Sequence, residues 1–189
     1  MKKLRTGRVW ENFEFSRVPT AFAWCNVIAG EIEKKEQRID VIGYKNSLQA
    51  FKANIDALKS LEIEFDISGN FDEAGLVLYC SDTKIDKEYT CESMWKDYVW
   101  SADYISFDKK NNLIVFNKGM VEPVCQRQFT FDDGSINVRA IAMEGQLDVY
   151  INDVLFISCA METKSCIVPG LFAFSGKAEI SALKVYELE

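Results

Sequence analysis

Leu61-Glu62-Ile63-Glu64-Phe65-Asp66-Ile67 alternates apolar and acidic side chains without a break. That period of two belongs to a β-strand with one face on a core and the other in water. Ser68-Gly69-Asn70 and Asp72-Glu73 follow with turn chemistry, and Ala74 to Cys80 is then an apolar run of the kind found in a central strand. Working outward, Tyr104 to Phe107 and Leu113 to Phe116 flank the polar stretch Asp108 to Asn112, which predicts a hairpin with a longer loop.

Downstream the rhythm is regular. Arg127 to Phe131, Ile136 to Ala142, Leu147 to Ile151 and Leu155 to Cys159 are apolar or alternating runs. Asp132-Asp133-Gly134, Glu144-Gly145 and Asn152-Asp153 separate them, a spacing that predicts a meander of antiparallel strands. Pro169-Gly170 introduces Leu171 to Phe174, Ser175-Gly176 reads as another turn, and Ala178 to Leu188 closes the chain with a slip of phase near Ala182-Leu183, as at a bulge. Many short strands so spaced predict an all-β, antiparallel two-sheet β-sandwich. Leu48, Phe51, Ile55 and Leu58 recur at helical spacing, so a short helix is expected over residues 47–59, with a strand as the alternative. No repeat or Pro/Gly/Ser-rich linker divides residues 1–189, which read as a single domain.

Composition narrows the function. The chain has 189 residues, 48% of them hydrophobic, enough for a complete core without a metal or disulfide staple. Its net charge of −7, with scattered basic residues, argues against nucleic acid and anionic membrane as partners. Met1-Lys2-Lys3-Leu4-Arg5 runs into Thr6-Gly7-Arg8 and not into an apolar stretch, so a cytoplasmic chain is expected unless it is an excised domain of a secreted protein. The six cysteines form no Cys-x-x-Cys pair and there is no histidine, which removes the common zinc sets and every Ser-His or Cys-His nucleophile. Free thiols are expected, with Cys80 and Cys159 packed as small hydrophobes in strands. Asp132-Asp133 and Asn152-Asp153 are oxygen-rich but are also ordinary turn sequences, and no metal or other cofactor is assigned to them.

Val138 to Asp153 resembles the signature hairpin of the C-terminal β-sandwich in glycoside hydrolase family 32, the invertases, levanases and inulinases. The family pattern is close to Leu-Arg-Ile-Phe-Val-Asp-Arg-Ser-Ser-Val-Glu-Val-Phe-Val-Asn-Asp. Arg139, Ile141, Val149, Asn152 and Asp153 match or nearly match it, Asp148 and Tyr150 are conservative equivalents, and Met143-Glu144-Gly145 departs from it. The resemblance covers roughly residues 60–189 and implies a concanavalin A-like jelly roll that stabilises a catalytic β-propeller, in cis or in trans, and contacts carbohydrate. In it Arg139, Asp148, Tyr150, Asn152 and Asp153 are structural. The family's catalytic Asn-Asp-Pro-Asn-Gly-like, Arg-Asp-Pro and Glu-Cys motifs are absent, since Val18, Glu122 and Val168 precede the prolines, so this chain alone is not expected to be an enzyme. The alternatives are a free-standing lectin-like carbohydrate-binding module and a small concanavalin A-like glycosidase, which would need two facing carboxyl groups.

Sugar sites commonly stack aromatic rings on a pyranose or furanose face, with polar groups orienting the hydroxyls. Trp95, Asp97, Tyr98 and Trp100 are the candidate residues for that role, against the plainer reading that they cover an edge of the sandwich. Trp10, Phe13, Phe15, Phe22 and Trp24 form a second aromatic group, read as core or interface packing.

Overall fold

In the computed structural model, which describes residues 5–17, 30–80, 102–118, 123–161 and 167–189, every regular element is a β-strand. In chain order these are β1 (Arg5–Glu11), β2 (Phe15–Arg17), β3 (Gly30–Lys34), β4 (Arg38–Ala53), β5 (Leu61–Cys80), β6 (Asp103–Asp108), β7 (Leu113–Lys118), β8 (Pro123–Gln128), β9 (Ile136–Met143), β10 (Gln146–Ile151), β11 (Val154–Ala160) and β12 (Ile167–Leu188). All named pairings are antiparallel.

Three long strands, β4, β5 and β12, belong to two layers at once. In the first layer the order is β11, β10, β9, the first half of β5 and the second half of β12. Beyond β12 lie β1 and the first half of β4, and β3 forms the edge. The second layer runs β8, β7, β6, the second half of β5, the first half of β12, the second half of β4 and β2. The core lies between the layers, where Phe65 of the first meets Phe107 of the second edge to face, with ring centroids 6.4 Å apart.

The strand read at Leu61–Ile67 is present, with Leu61, Ile63, Phe65 and Ile67 buried in the core. It does not end at Ser68. β5 continues to Cys80 and its core-facing positions change from odd numbers to even, with Ala74, Leu76 and Leu78 facing the inside alongside Phe107. The turn expected at Ser175-Gly176 is likewise a kink inside β12, with Ser175 at φ 50° and Gly176 at φ 144°. A Cβ on Gly176 would stand 2.3 Å from the Asn70 carbonyl oxygen, so glycine is required both for the backbone angle and for the close approach of β5. Residues that favour turns here let one strand pass from layer to layer.

The helix expected over residues 47–59 is not formed. Residues 48–53 are the second half of β4, paired with Gly170–Phe174 on one side, and Phe51–Ala53 pair with β2 on the other. Leu48, Gln49, Ala50, Phe51 and Ala53 are all buried, so both faces of this strand are covered and the period of two that would have distinguished it is erased. The strand expected at Arg127–Phe131 begins earlier, at Pro123, and ends at Gln128. Pro169, read as lying between elements, sits within β12 opposite Leu78. The slip of phase at Ala182-Leu183 is a bulge, with Ala182 at φ 51° and the register to β5 shifting between Ser181 and Lys184.

Candidate functional site

Where β5, β6 and β7 pair in the second layer, alternate residues face away from the core. The register aligns Glu73 with Asp108 and Leu113, Gly75 with Ser106 and Val115, and Val77 with Tyr104 and Asn117. Gln126 and Pro123 of β8 extend the same rows. Glu73, Tyr104, Ser106, Asp108, Asn117 and Gln126, with Leu113, Val115 and Pro123, line an open groove of about 220 Å³. Gly75 shapes its floor: a Cβ there would lie 1.9 Å from the Ile105 carbonyl oxygen and 3.1 Å from the Phe172 ring. Its absence lets Phe172 pack close to the sheet and meet Tyr104 edge to face, at 5.8 Å between centroids.

The groove's polar groups are in unequal states. Burial pushes the Glu73 carboxyl up to about 7, the neighbouring charge of Asp108 adds to the rise, and the hydrogen bond donated by the Ser106 hydroxyl opposes it. The Tyr104 phenol is raised above its ordinary value by burial and then by Glu73. Asp108 is committed to its loop: one carboxylate oxygen accepts from the Asn111 backbone N–H at 2.9 Å and the other from the Asn111 side-chain amide at 2.7 Å. Asn117 is only 8% exposed, and its side chain lines the groove. Its amide is not one of the fully buried atoms left without a partner, so it meets whatever enters there. No lysine or arginine lines the groove among the described residues.

A second, smaller recess of about 180 Å³, lined by Glu14, Phe15, Ile32, Lys34 and Ile39, is mainly apolar.

The described lining of the groove contains none of the residues singled out from the sequence. Trp95, Asp97, Tyr98 and Trp100 are outside the described residues, as are Phe22 and Trp24. The hairpin set belongs to the first layer. Arg139 stands opposite Tyr150 in the register, with its guanidinium 3.9 Å from the ring centroid and 3.7 Å from Glu62. Asp148 accepts from Gln146 and Ser158, both at 2.8 Å. Asn152 and Asp153 form the β10–β11 turn at φ 50° and 65°, and the Asn152 side-chain oxygen accepts from the Asn137 N–H at 3.0 Å. Asp132 accepts from the Gly134 N–H at 3.1 Å within its own turn, whereas Asn152 ties its turn to β9. Trp10 is half-buried with Arg8 over its ring, and Phe13 and Phe15 pack at 4.9 Å. Cys125 and Cys159 are half-buried free thiols, and Cys159 is pushed up to about 12 by burial and then by Cys125.

The groove residues escaped the sequence reading because Glu73 stands beside Asp72 in what looked like a turn. The usable signal was Tyr104, Ser106 and Asp108 alternating with Ile105 and Phe107, a polar face on an otherwise apolar strand.

Comparison with solved structures places this architecture. A Bacillus subtilis protein of unknown function with a galectin-like fold superposes with a TM-score of 0.74 at 9% identity, covering 98% of each chain. The fold is galectin-like. The carbohydrate-binding module CBM66 from Bacillus subtilis aligns at TM-score 0.62 and 15% identity, over 87% of this chain and 97% of that one. The Emp46p carbohydrate recognition domain, in its potassium-bound form, aligns at 0.60 and 11%, over 85% and 88%. No protein-family model and no curated protein matches the sequence. The galectin-like sandwich thus rests on three-dimensional likeness and on the register above, with the groove on the outer face of its second layer.

Proposed function

We propose that this chain is a lectin-like carbohydrate-binding module that holds a sugar in the Glu73–Tyr104–Asn117 groove. The observation that carries the reading is the groove itself, where the nearly buried Asn117 amide stands beside a carboxyl, a hydroxyl and a second amide on one outward face of three paired strands. Donors and acceptors side by side match vicinal sugar hydroxyls, and Leu113, Val115 and Pro123 supply apolar surface for C–H groups. At about 220 Å³ the groove is below the roughly 300–1,000 Å³ of a typical small-molecule pocket, a size for a single sugar residue. Two of the similar structures carry carbohydrate binding or recognition in their names, which supports the same reading.

A glycan array followed by calorimetric titration tests it. Asn117→Leu should weaken the best ligand about tenfold, since the leucine fills the space without the amide. Absence of binding to every glycan, or binding untouched by Asn117→Leu, would sink the reading.

The likeness of Val138–Asp153 to the family 32 hairpin favours a second reading, in which the module sits beside a catalytic propeller and stabilises it. On that reading the isolated chain releases no reducing sugar from sucrose, levan or inulin, and adding the propeller domain raises the melting temperature of both. Turnover by this chain alone, abolished by one Asp or Glu substitution, would refute it.

A further inference from the structure

We infer that the groove selects a sugar bearing a protonated amine, a glucosamine-type unit, held by Glu73 as counter-ion and by Asn117 through hydrogen bonds. The assignment rests on the groove being the carbohydrate site and specifies its ligand class.

Asp108 and Tyr104 face Glu73 from β6, β7 brings Asn117 and β8 brings Gln126, while β12 places Phe174 directly opposite. Among the described residues no cation lines the groove. Lys109, next to Asp108 in sequence, is tied elsewhere: its ammonium donates to the Gly69 carbonyl at 2.8 Å and lies 4.7 Å from the Phe71 ring centroid. Among the described residues, then, a carboxyl with a carboxylate neighbour has no cation in its groove, an arrangement that favours a cationic ligand. A uronate or sulfated sugar would bring a negative charge to Asp108 with no cation among the described lining residues to balance it. A neutral sugar would leave the imbalance as it stands. An ammonium corrects it with a charge-assisted hydrogen bond, stronger than a neutral one.

A metal ion fits less well. Calcium takes six to eight oxygen ligands, and both oxygens of Asp108 already accept from Asn111. An ammonium needs fewer acceptors and tolerates their irregular spacing.

The proton balance gives a signature. Binding converts a protonated Glu73 and a free ammonium sugar into an ion pair and releases one proton to solvent. With Glu73 near 7, about three-quarters of a proton should be released at pH 6.5 on binding.

The test titrates the full chain with a glucosamine disaccharide, its N-acetylated counterpart and a uronic-acid disaccharide at pH 6.5. Buffers of different ionisation enthalpy count the protons. The amine is expected to bind at least tenfold tighter than the N-acetyl form, with proton release. Glu73→Gln should erase that preference, and since it alters one of 29 acidic residues, non-specific attraction to the acidic chain survives it. Equal binding of the amine and N-acetyl forms, weakened by Asn117→Leu and indifferent to Glu73→Gln, overturns the amine selection and leaves the carbohydrate reading standing. Preference for the uronate, or saturable calcium binding that displaces the amine, overturns it too. Binding of none of the sugars overturns both.

Discussion

Replacing Glu73 by glutamine should stabilise the protein at alkaline pH and leave it nearly unchanged in acid. In the folded chain Glu73 keeps its proton up to about pH 7, because burial outweighs the hydrogen bond from Ser106, whereas unfolded it ionises near the ordinary value of 4.5. Folding therefore takes up a proton between those two values. The stability tied to the protonated form is fully present below pH 4.5 and is lost as pH rises through 7. A displacement from 4.5 to about 7 corresponds to about 3 kcal/mol at most, and the groove's opening to solvent reduces this to about 2 kcal/mol. Glutamine has the same shape, keeps an oxygen to accept from the Ser106 hydroxyl and carries no charge to desolvate. Urea unfolding of both proteins at pH 4, 6 and 8.5 measures the effect. The variant should match the parent at pH 4 and exceed it by about 2 kcal/mol at pH 8.5, which for a chain of this size is about 4–8 °C in melting temperature. A stability difference that stays constant across the three pH values, or a variant weaker at pH 8.5, would refute the reasoning.

Two further outcomes follow from the geometry. Gly75→Ala places a methyl 1.9 Å from the Ile105 carbonyl oxygen, so β5 and β6 must separate, and a loss of about 3 kcal/mol is expected in denaturant titration. Retention of full stability would mean that the two strands are not so closely paired. Cys159, whose thiol is pushed up by burial and then by Cys125, carries less thiolate than an ordinary thiol, so iodoacetamide at pH 8 should modify it more slowly than a model thiol. Mass mapping of labelled peptides checks this, and rapid labelling of Cys159 in the folded chain would contradict its burial.

How much of this was legible depended on whether a strand had one covered face or two. β9, β10 and β11 were readable because Val138, Ala140, Leu147 and Val149 alternate with more exposed residues, and because Glu144-Gly145 and Asn152-Asp153 adopt the positive φ angles that tight turns require. Leu48–Ala53 was not, because a strand buried on both sides has no polar face to mark its period. Ser68–Glu73 and Ser175-Gly176 misled for a different reason. The residue types that close a hairpin also permit a kink within a continuous strand, and only the pairing partner tells the two apart. The groove was the least legible part, since Glu73, Ser106 and Asn117 are joined only through the β5–β6 and β6–β7 register. The aromatic site expected at Trp95–Trp100 falls outside the described residues and is neither supported nor displaced by the groove.

The two outer faces of the sandwich explain why the second layer is the one suited to a ligand. On the first layer charge is matched internally. Arg5 reaches Glu62 at 2.7 Å and Glu64 at 2.6 Å while lying on the Tyr186 ring, and Arg139 covers Tyr150. Around the fully buried Asp40, burial pushes the carboxyl up, but the hydrogen bond from Lys35 and the charges of Arg38 and Lys177 outweigh it and hold the group below its ordinary range. A ligand arriving there would have to displace bonds already made, each worth about as much as its replacement. On the second layer the polar groups are fewer, and among the described residues the carboxyl that keeps its proton to about 7 has no cation beside it in the groove. There a ligand meets a carboxyl whose side-chain hydrogen bond comes from Ser106, and an amide at the groove's wall. The presence or absence of a matching charge, more than any count of polar residues, distinguishes the two faces.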